Sequence, residues 1–285
     1  MKNLNLILVM LLPLCICTES FGQRHSRYVA FFEETQAYQL AKAVEKEDLQ
    51  EIERLVKEDS SLLEETEPEF GLNVLVMCLY VERIGSLKKL LELGADPNFI
   101  NTYNHHSVLI DAIKWYERGS DSLIDNRYAE LLLKYGADPT HAVENRFTNK
   151  KGYNVLPDSP LLRASGMSLD MVKTLIAYGA DPHRKLGKKQ LTPFRAAILG
   201  PKYDIIYYFI DTLEVNVHQP LSIRSKDSIF VQDYVVRKKM YQIIRAEEGS
   251  VVDTVGYENR WALKKYLESK GVDFVNYKYK FFQGK

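Results

Sequence analysis

The chain has 285 residues, of which 46% are hydrophobic and 27% charged, with 38 basic side chains balanced by 38 acidic ones. That composition is ordinary for a folded protein with a large core. A net charge of zero excludes a global attraction to nucleic acid or to an anionic membrane, and three cysteines in the whole chain exclude a disulfide-stapled scaffold.

The chain opens with Lys2 and an apolar run from Leu4 to Ile16, followed by Ser20-Phe21-Gly22 and then Gln23. Residues 1–22 read as an export signal, and the run is too short to span a bilayer comfortably. A buried N-terminal helix explains the basic start and the small residues at the cut less well. Cys15 and Cys17 end the run, but Leu14 and Ile16 precede them where a lipid-attachment motif needs a small residue, so lipid anchoring is not expected. Export predicts a periplasmic or secreted protein. Its single remaining cysteine, Cys78, leaves no intrachain disulfide. No later segment is long and apolar enough for stable membrane insertion. Residues 23–34 form a lead-in, with Tyr28-Val29-Ala30-Phe31-Phe32 covering the first helical unit.

From residue 35 to 220 the chain predicts five helical hairpins. The first helix of each carries a large apolar residue and a small one three positions apart: Leu40…Ala43, Leu75…Cys78, Leu109…Ala112, Leu161…Ala164 and Phe194…Ala197. Such pairs share one helical face, and the small member lets neighbouring helices approach. Cys78 falls in that column, which predicts a packed thiol rather than a nucleophile. Second helices are predicted over Leu49–Lys57, Ser86–Leu93, Arg127–Tyr135, Leu169–Tyr178 and Ile205–Thr212, each with apolar positions at helical spacing.

Three of these helices end on the same words: Leu93-Gly94-Ala95-Asp96-Pro97, Tyr135-Gly136-Ala137-Asp138-Pro139 and Tyr178-Gly179-Ala180-Asp181-Pro182. Glycine suits a left-handed helix stop, proline forbids the helix from resuming, and aspartate starts a turn. Helix, turn, helix and Gly-Ala-Asp-Pro in register resemble the ankyrin repeat family. Thr192-Pro193-Phe194-Arg195-Ala196-Ala197 is similar to its Thr-Pro-Leu-His-x-Ala signature, with weaker versions at Ser159–Ala164 and Ser107–Ala112. The resemblance implies an all-α solenoid with short β-turn fingers, and binding of partner proteins through loop tips and first helices. Val76, Ile110, Leu162 and Arg195 stand where the family carries histidine, which predicts that apolar packing replaces that residue's bonds between loops.

The steps from Gly94 to Gly136 and from Gly136 to Gly179 are 42 and 43 residues, against a usual period of about 33. The excess maps to 114–126, inside the third unit, and 144–157, between the third and fourth. Insertions into an array fall in loops, often on the binding face. Residues 221–273 read as a divergent terminal unit and cap, with helices over Ser228–Ala246 and Asn259–Lys270. Gly271-Val272-Asp273 echoes the stop. The tail, 274–285, alternates aromatic and polar residues over Phe274–Phe282 and predicts a short strand or an extended segment on the cap.

No zinc-binding His-Glu-x-x-His, nucleophile elbow, phosphate loop or EF-hand loop occurs in the sequence. His105-His106 predicts a solvent-facing loop, because adjacent side chains diverge. Glu64-Glu65-Thr66-Glu67-Pro68-Glu69 predicts a solvated loop, Arg184–Lys189 a charged loop tip, and Arg237-Lys238-Lys239 a wet helix face. No cofactor or metal is expected.

What remains is recognition chemistry. The resemblance places partner contacts at Phe99, Tyr103, Asn104 and His105, then at Arg146, Phe147 and Tyr153, then at Arg184 and Lys188, with Trp115 and Tyr116 bordering the first insertion. Aromatic and arginine side chains anchor interfaces, and the rival reading of each aromatic is a plug under its own loop. The sequence thus predicts an exported, monomeric, non-enzymatic protein-binding module acting as a scaffold, an inhibitor or an immunity-type protein. A catalytic patch around His105, His106 or Glu117 and self-assembly through the tail are the alternatives.

Overall fold

The computed structural model describes residues 27–113, 116–118, 121–123, 125–200, 202–224, 227–235 and 254–278. The proposed export signal, Cys15, Cys17, Trp115, Arg237-Lys238-Lys239 and the end of the tail lie outside the described residues.

Four of the five hairpins begin where a polar side chain takes over a first orphan amide of the helix; the first begins at Ala37 without one. In the first unit, α1 (Tyr38–Lys46) precedes α2 (Leu49–Glu58), whose cap is Asp48. Asn73 caps α3 (Val74–Tyr80), Ser107 caps α5 (Val108–Ala112), Ser159 caps α7 (Pro160–Ala164) and Thr192 caps α9 (Pro193–Leu199), each accepting from the amide three residues on. The second helices are α4 (Ile84–Glu92), α6 (Arg127–Lys134), α8 (Leu169–Ala177) and α10 (Tyr203–Asp211). Pro160 and Pro193 sit in the first turns, where the missing amide costs nothing.

The three predicted stops share one geometry. Gly94, Gly136 and Gly179 have φ of 97°, 92° and 100°. The next amide reaches back five residues, from Ala95 to Leu90 at 3.0 Å, Ala137 to Leu132 at 3.0 Å and Ala180 to Leu175 at 2.9 Å, which satisfies a carbonyl the helix end would orphan. Asp96, Asp138 and Asp181 then each accept from the amide two residues on. The fifth unit makes a looser version of the stop without glycine, in which the Val215 amide reaches back six residues to Phe209 at 3.0 Å. Glu214 takes φ of 51°, and Asn216 accepts the His218 amide in place of the aspartate.

First helices stack in one row, α1 on α3, α3 on α5, α5 on α7 and α7 on α9. Second helices form another row, α2 on α4, α4 on α6 and α8 on α10. Every member of the large–small column is buried, Cys78 included. Burial pushes the Cys78 thiol far up, with the Glu47 charge adding to it, so it stays a protonated packing group.

The fold is mostly helical with short antiparallel hairpins. The first insertion forms β1 (Tyr116–Arg118) against β2 (Asp121–Leu123), and the second β3 (Phe147–Thr148) against β4 (Asn154–Val155). After the fifth unit, β5 (Ser222–Arg224) pairs with β6 (Asp227–Ile229). The expected helix from Ser228 is therefore corrected: Ser228 belongs to a strand, and a helical turn begins at 231. Polar bonding to Asp233, whose carboxylate accepts the Phe230 amide, sets that boundary. The last helix, α11 (Thr254–Ser269), ends on Gly271 (φ 83°), with the Val272 amide bonded to Leu267. Leu263, Leu267, Val272 and Phe274 are buried and belong to the same apolar cluster as Phe209 and Ile210. Residues 274–278 form no strand. Asp273 turns them by accepting the Val275 and Asn276 amides, and the Tyr277 hydroxyl donates to Asp233.

Candidate functional site

Between units the chain folds into fingers, closed at their bases by the bridges Ile100–Ser107, Val143–Asp158 and Leu186–Leu191. A shorter finger over 67–72 closes through the Glu67 amide on Leu72. The first three share an internal brace. Glu67 accepts from the amides of Glu69, Phe70 and Leu72, Asn101 from Tyr103 and Asn104, and Asn149 from Lys151 and Tyr153. All three braces are buried. Glu67 is thus no solvated charge: three amides replace its water, and the expectation of a wholly solvated acidic loop is corrected.

Neighbouring fingers are tied by polar bonds as well. Asn98 donates to the Gly136 carbonyl at 3.0 Å and accepts the Asp138 amide at 2.7 Å. His141 Nε2 meets the His105 carbonyl at 3.0 Å, Arg184 bonds the Thr140 carbonyl, and the Ile223 amide meets the Lys189 carbonyl at 2.7 Å. Apolar packing alone does not hold the loops, as had been expected from the missing histidines. Amide, imidazole and guanidinium groups at other positions supply the bonds.

The expected contact residues separate into groups. Phe99 turns inward and packs against the core, so it is a plug under its loop. Tyr103 and Tyr153 lie 6.5 Å apart by ring centroids, with half-buried Asn104 beside Tyr103. His105 is exposed and stacks on Phe147 at 4.4 Å. Arg146 donates to Asn154, Arg184 pairs with Glu144 at 2.5 Å, and Lys188 is exposed near the tip of the fourth finger. Tyr116 and Glu117 lie in β1, opposite Leu123 and Ser122.

The two adjacent histidines do diverge. His106 is not solvent-facing: its Nδ1 lies 3.0 Å from the buried Asp111 carboxylate. Arg163 donates to the Ile110 carbonyl at 2.7 Å and pairs with Asp158, and its guanidinium stands 3.9 Å from Asp111. This cluster ties the third unit to the fourth. Among the described residues, no group of three or more His, Cys, Asp or Glu side chains is placed to hold a metal ion, and no helix is long and apolar enough to cross a membrane.

A larger feature joins residues the sequence keeps apart. Tyr80 stacks on Tyr28 at 5.0 Å, Tyr28 meets Phe31 at 6.1 Å, Phe31 meets Phe70 at 5.0 Å and Phe70 meets Tyr103 at 5.7 Å, before Tyr103 passes the row to Tyr153. Six rings from the lead-in, one first helix and three fingers make one row. Its far end is open: Tyr153 is 65% exposed and Leu156, on the same finger, 60%. Tyr28, Phe31, Phe70 and Tyr80 were not among the expected contacts. The one local signal was Phe70 before Gly71, whose φ of 64° turns the first finger back.

No family model matches the chain, and no curated protein does either. Among solved structures it is similar to the ankyrin repeat domain of human ASB11, at 17% identity and a TM-score of 0.45, over 62% of this chain and 69% of that one. That likeness concerns overall shape alone. On its own geometry, the chain is a stack of helical hairpins with two helix rows, recurrent left-handed stops and braced fingers between the units.

Proposed function

We propose that this chain is a non-enzymatic protein-binding module whose partner docks on the finger face. The observation that carries the reading is the continuous aromatic row from Tyr80 to Tyr153. Stacking of the units consumes the apolar faces of the helices. Tyr28, Phe31, Phe70 and Tyr80 also pack against the core, as Phe99 does, but the row continues past it to Tyr103 and Tyr153, and Tyr153 and Leu156 are exposed. Clustered rings with a polar rim are what interface anchors look like, and Asn104, His105 and Arg146 supply such a rim.

The basic, apolar and small-residue pattern of residues 1–22 supports export, to the periplasm or beyond, where the protein would serve as a monomeric scaffold, inhibitor or immunity-type protein. The divergence of His105 and His106 onto different partners weighs against a catalytic patch there. The contacts of Phe274 and Tyr277 with the cap weigh against a free aromatic arm for self-assembly.

The test is capture from the envelope fraction of the producing organism with the mature chain as bait. A stoichiometric protein partner retained by the parent and lost on Tyr103→Ala and Tyr153→Ala supports the reading. Capture that survives both changes removes this face.

A further inference from the structure

The aromatic row already holds a cation. Lys151, from the turn between β3 and β4, places its ammonium 4.0 Å from the Phe70 ring centroid and 6.0 Å from that of Tyr103. The same nitrogen lies 2.8 Å from Glu69 Oε1. Two ring faces and a carboxylate from other fingers thus surround a basic side chain that arrives 82 positions later in the chain.

We infer that the Glu69–Phe70–Tyr103 corner is a receptor for an arginine or lysine side chain of the partner, and that Lys151 is an internal occupant which the partner displaces. The inference rests on the docking face proposed above. Three properties of the corner support it. A cation within about 6 Å of a ring face is attracted by the ring quadrupole, and Glu69 completes the charge complement. The Lys151–Glu69 pair is half-exposed, so solvent screens it and the resident is held weakly. A guanidinium stacks on a ring and forks onto a carboxylate better than an ammonium does, so an incoming arginine outcompetes it.

The surroundings say what flanks that arginine. A cleft of about 330 Å³ adjoins the corner, lined by Tyr28, Phe31, Leu72 and Tyr80, with Asn104 at its polar edge. It takes one apolar side chain next to the basic one. Arg27 lines the same cleft and disfavours a second cation in it. The partner is therefore a protein segment with one arginine or lysine adjacent to an apolar residue.

The test uses the full chain and two capped tripeptides, acetyl-Gly-Arg-Leu-amide and its neutral citrulline counterpart, with binding read from the ring resonances of Phe70 and Tyr103. Lys151→Ala vacates the corner at an exposed position, and circular dichroism checks that the fold is kept. The expected result is that the arginine peptide binds Lys151→Ala about fivefold more tightly than it binds the parent. It should also bind that variant about fivefold more tightly than the citrulline peptide does, and adding Glu69→Gln should shrink both differences to the part the two rings supply. Equal binding of the two peptides, or no gain from Lys151→Ala, overturns the inference. If the peptides behave equally while Tyr103→Ala and Tyr153→Ala still abolish partner capture, the cation seat falls and the docking face stands. If the peptides discriminate while capture survives those two changes, the corner binds a cation but does not receive the partner, and the inference falls together with the docking face.

Discussion

Replacing Gly136 by alanine probes the repeat stop with a single methyl group. A Cβ built on Gly136 meets nothing within 4 Å, so no collision contributes and the whole effect lies in the backbone. At φ of 92° an L-residue costs about 1–2 kcal/mol. Alanine also restricts the unfolded chain, which returns about 0.4–1 kcal/mol. The expected net loss is therefore about 1 kcal/mol. Gly94 and Gly179 have the same open surroundings and the same left-handed backbone. They end different helices, so the three losses should add to about 3 kcal/mol in the triple variant. Glu214 is the reverse case, a side chain where the other stops have glycine, and Glu214→Gly should gain up to about 1 kcal/mol. Urea unfolding followed by far-ultraviolet circular dichroism measures all of these. A triple variant with the midpoint of the parent would refute the strain argument, and so would a single loss well above 3 kcal/mol, since nothing near the added methyl can account for it.

Gly71→Ala should cost more than Gly136→Ala, by about 1–2 kcal/mol, because its Cβ would stand 2.5 Å from Thr102 Oγ1 in addition to the left-handed φ; a paired urea titration makes the comparison. Cys78 should resist thiol reagents in the native protein and react only at the rate of unfolding, since it is buried and its thiol is held protonated; rapid labelling would place it outside the core. Asp211 is held below its ordinary carboxylate range first by the Tyr266 hydroxyl and then by Lys270. Its contribution is thus present above the unfolded value of 3.8 and lost as pH falls through the lower folded value. Hydrogen exchange across 254–269 should speed up as the solution is acidified below about pH 4, and Asp211→Asn should flatten that response. Phe99→Ala should lower stability by about 2–4 kcal/mol rather than weaken partner capture alone, because the ring packs on the core.

Local chain chemistry was enough to write down the hairpins. A glycine that must turn left, an aspartate that bonds two residues on and a large–small pair three apart act within one helix turn, and Gly94, Gly136, Gly179 and the Leu40…Ala43 type of column all stand where that chemistry puts them. The turn at Glu214-Val215-Asn216 does not read as a stop, because asparagine stands there for aspartate and a strained glutamate for glycine. The surface was not legible in this way. Whether Phe99 points in and Tyr153 out depends on how a finger tilts over its neighbour. Glu67 became a buried brace because finger amides close around it. The row that joins Tyr28, Phe70, Tyr103, Tyr153 and Lys151 exists only because stacking brings positions more than a hundred residues apart to one edge. Periodicity reports which face of an element is buried; it carries no record of which loops the assembled array sets side by side.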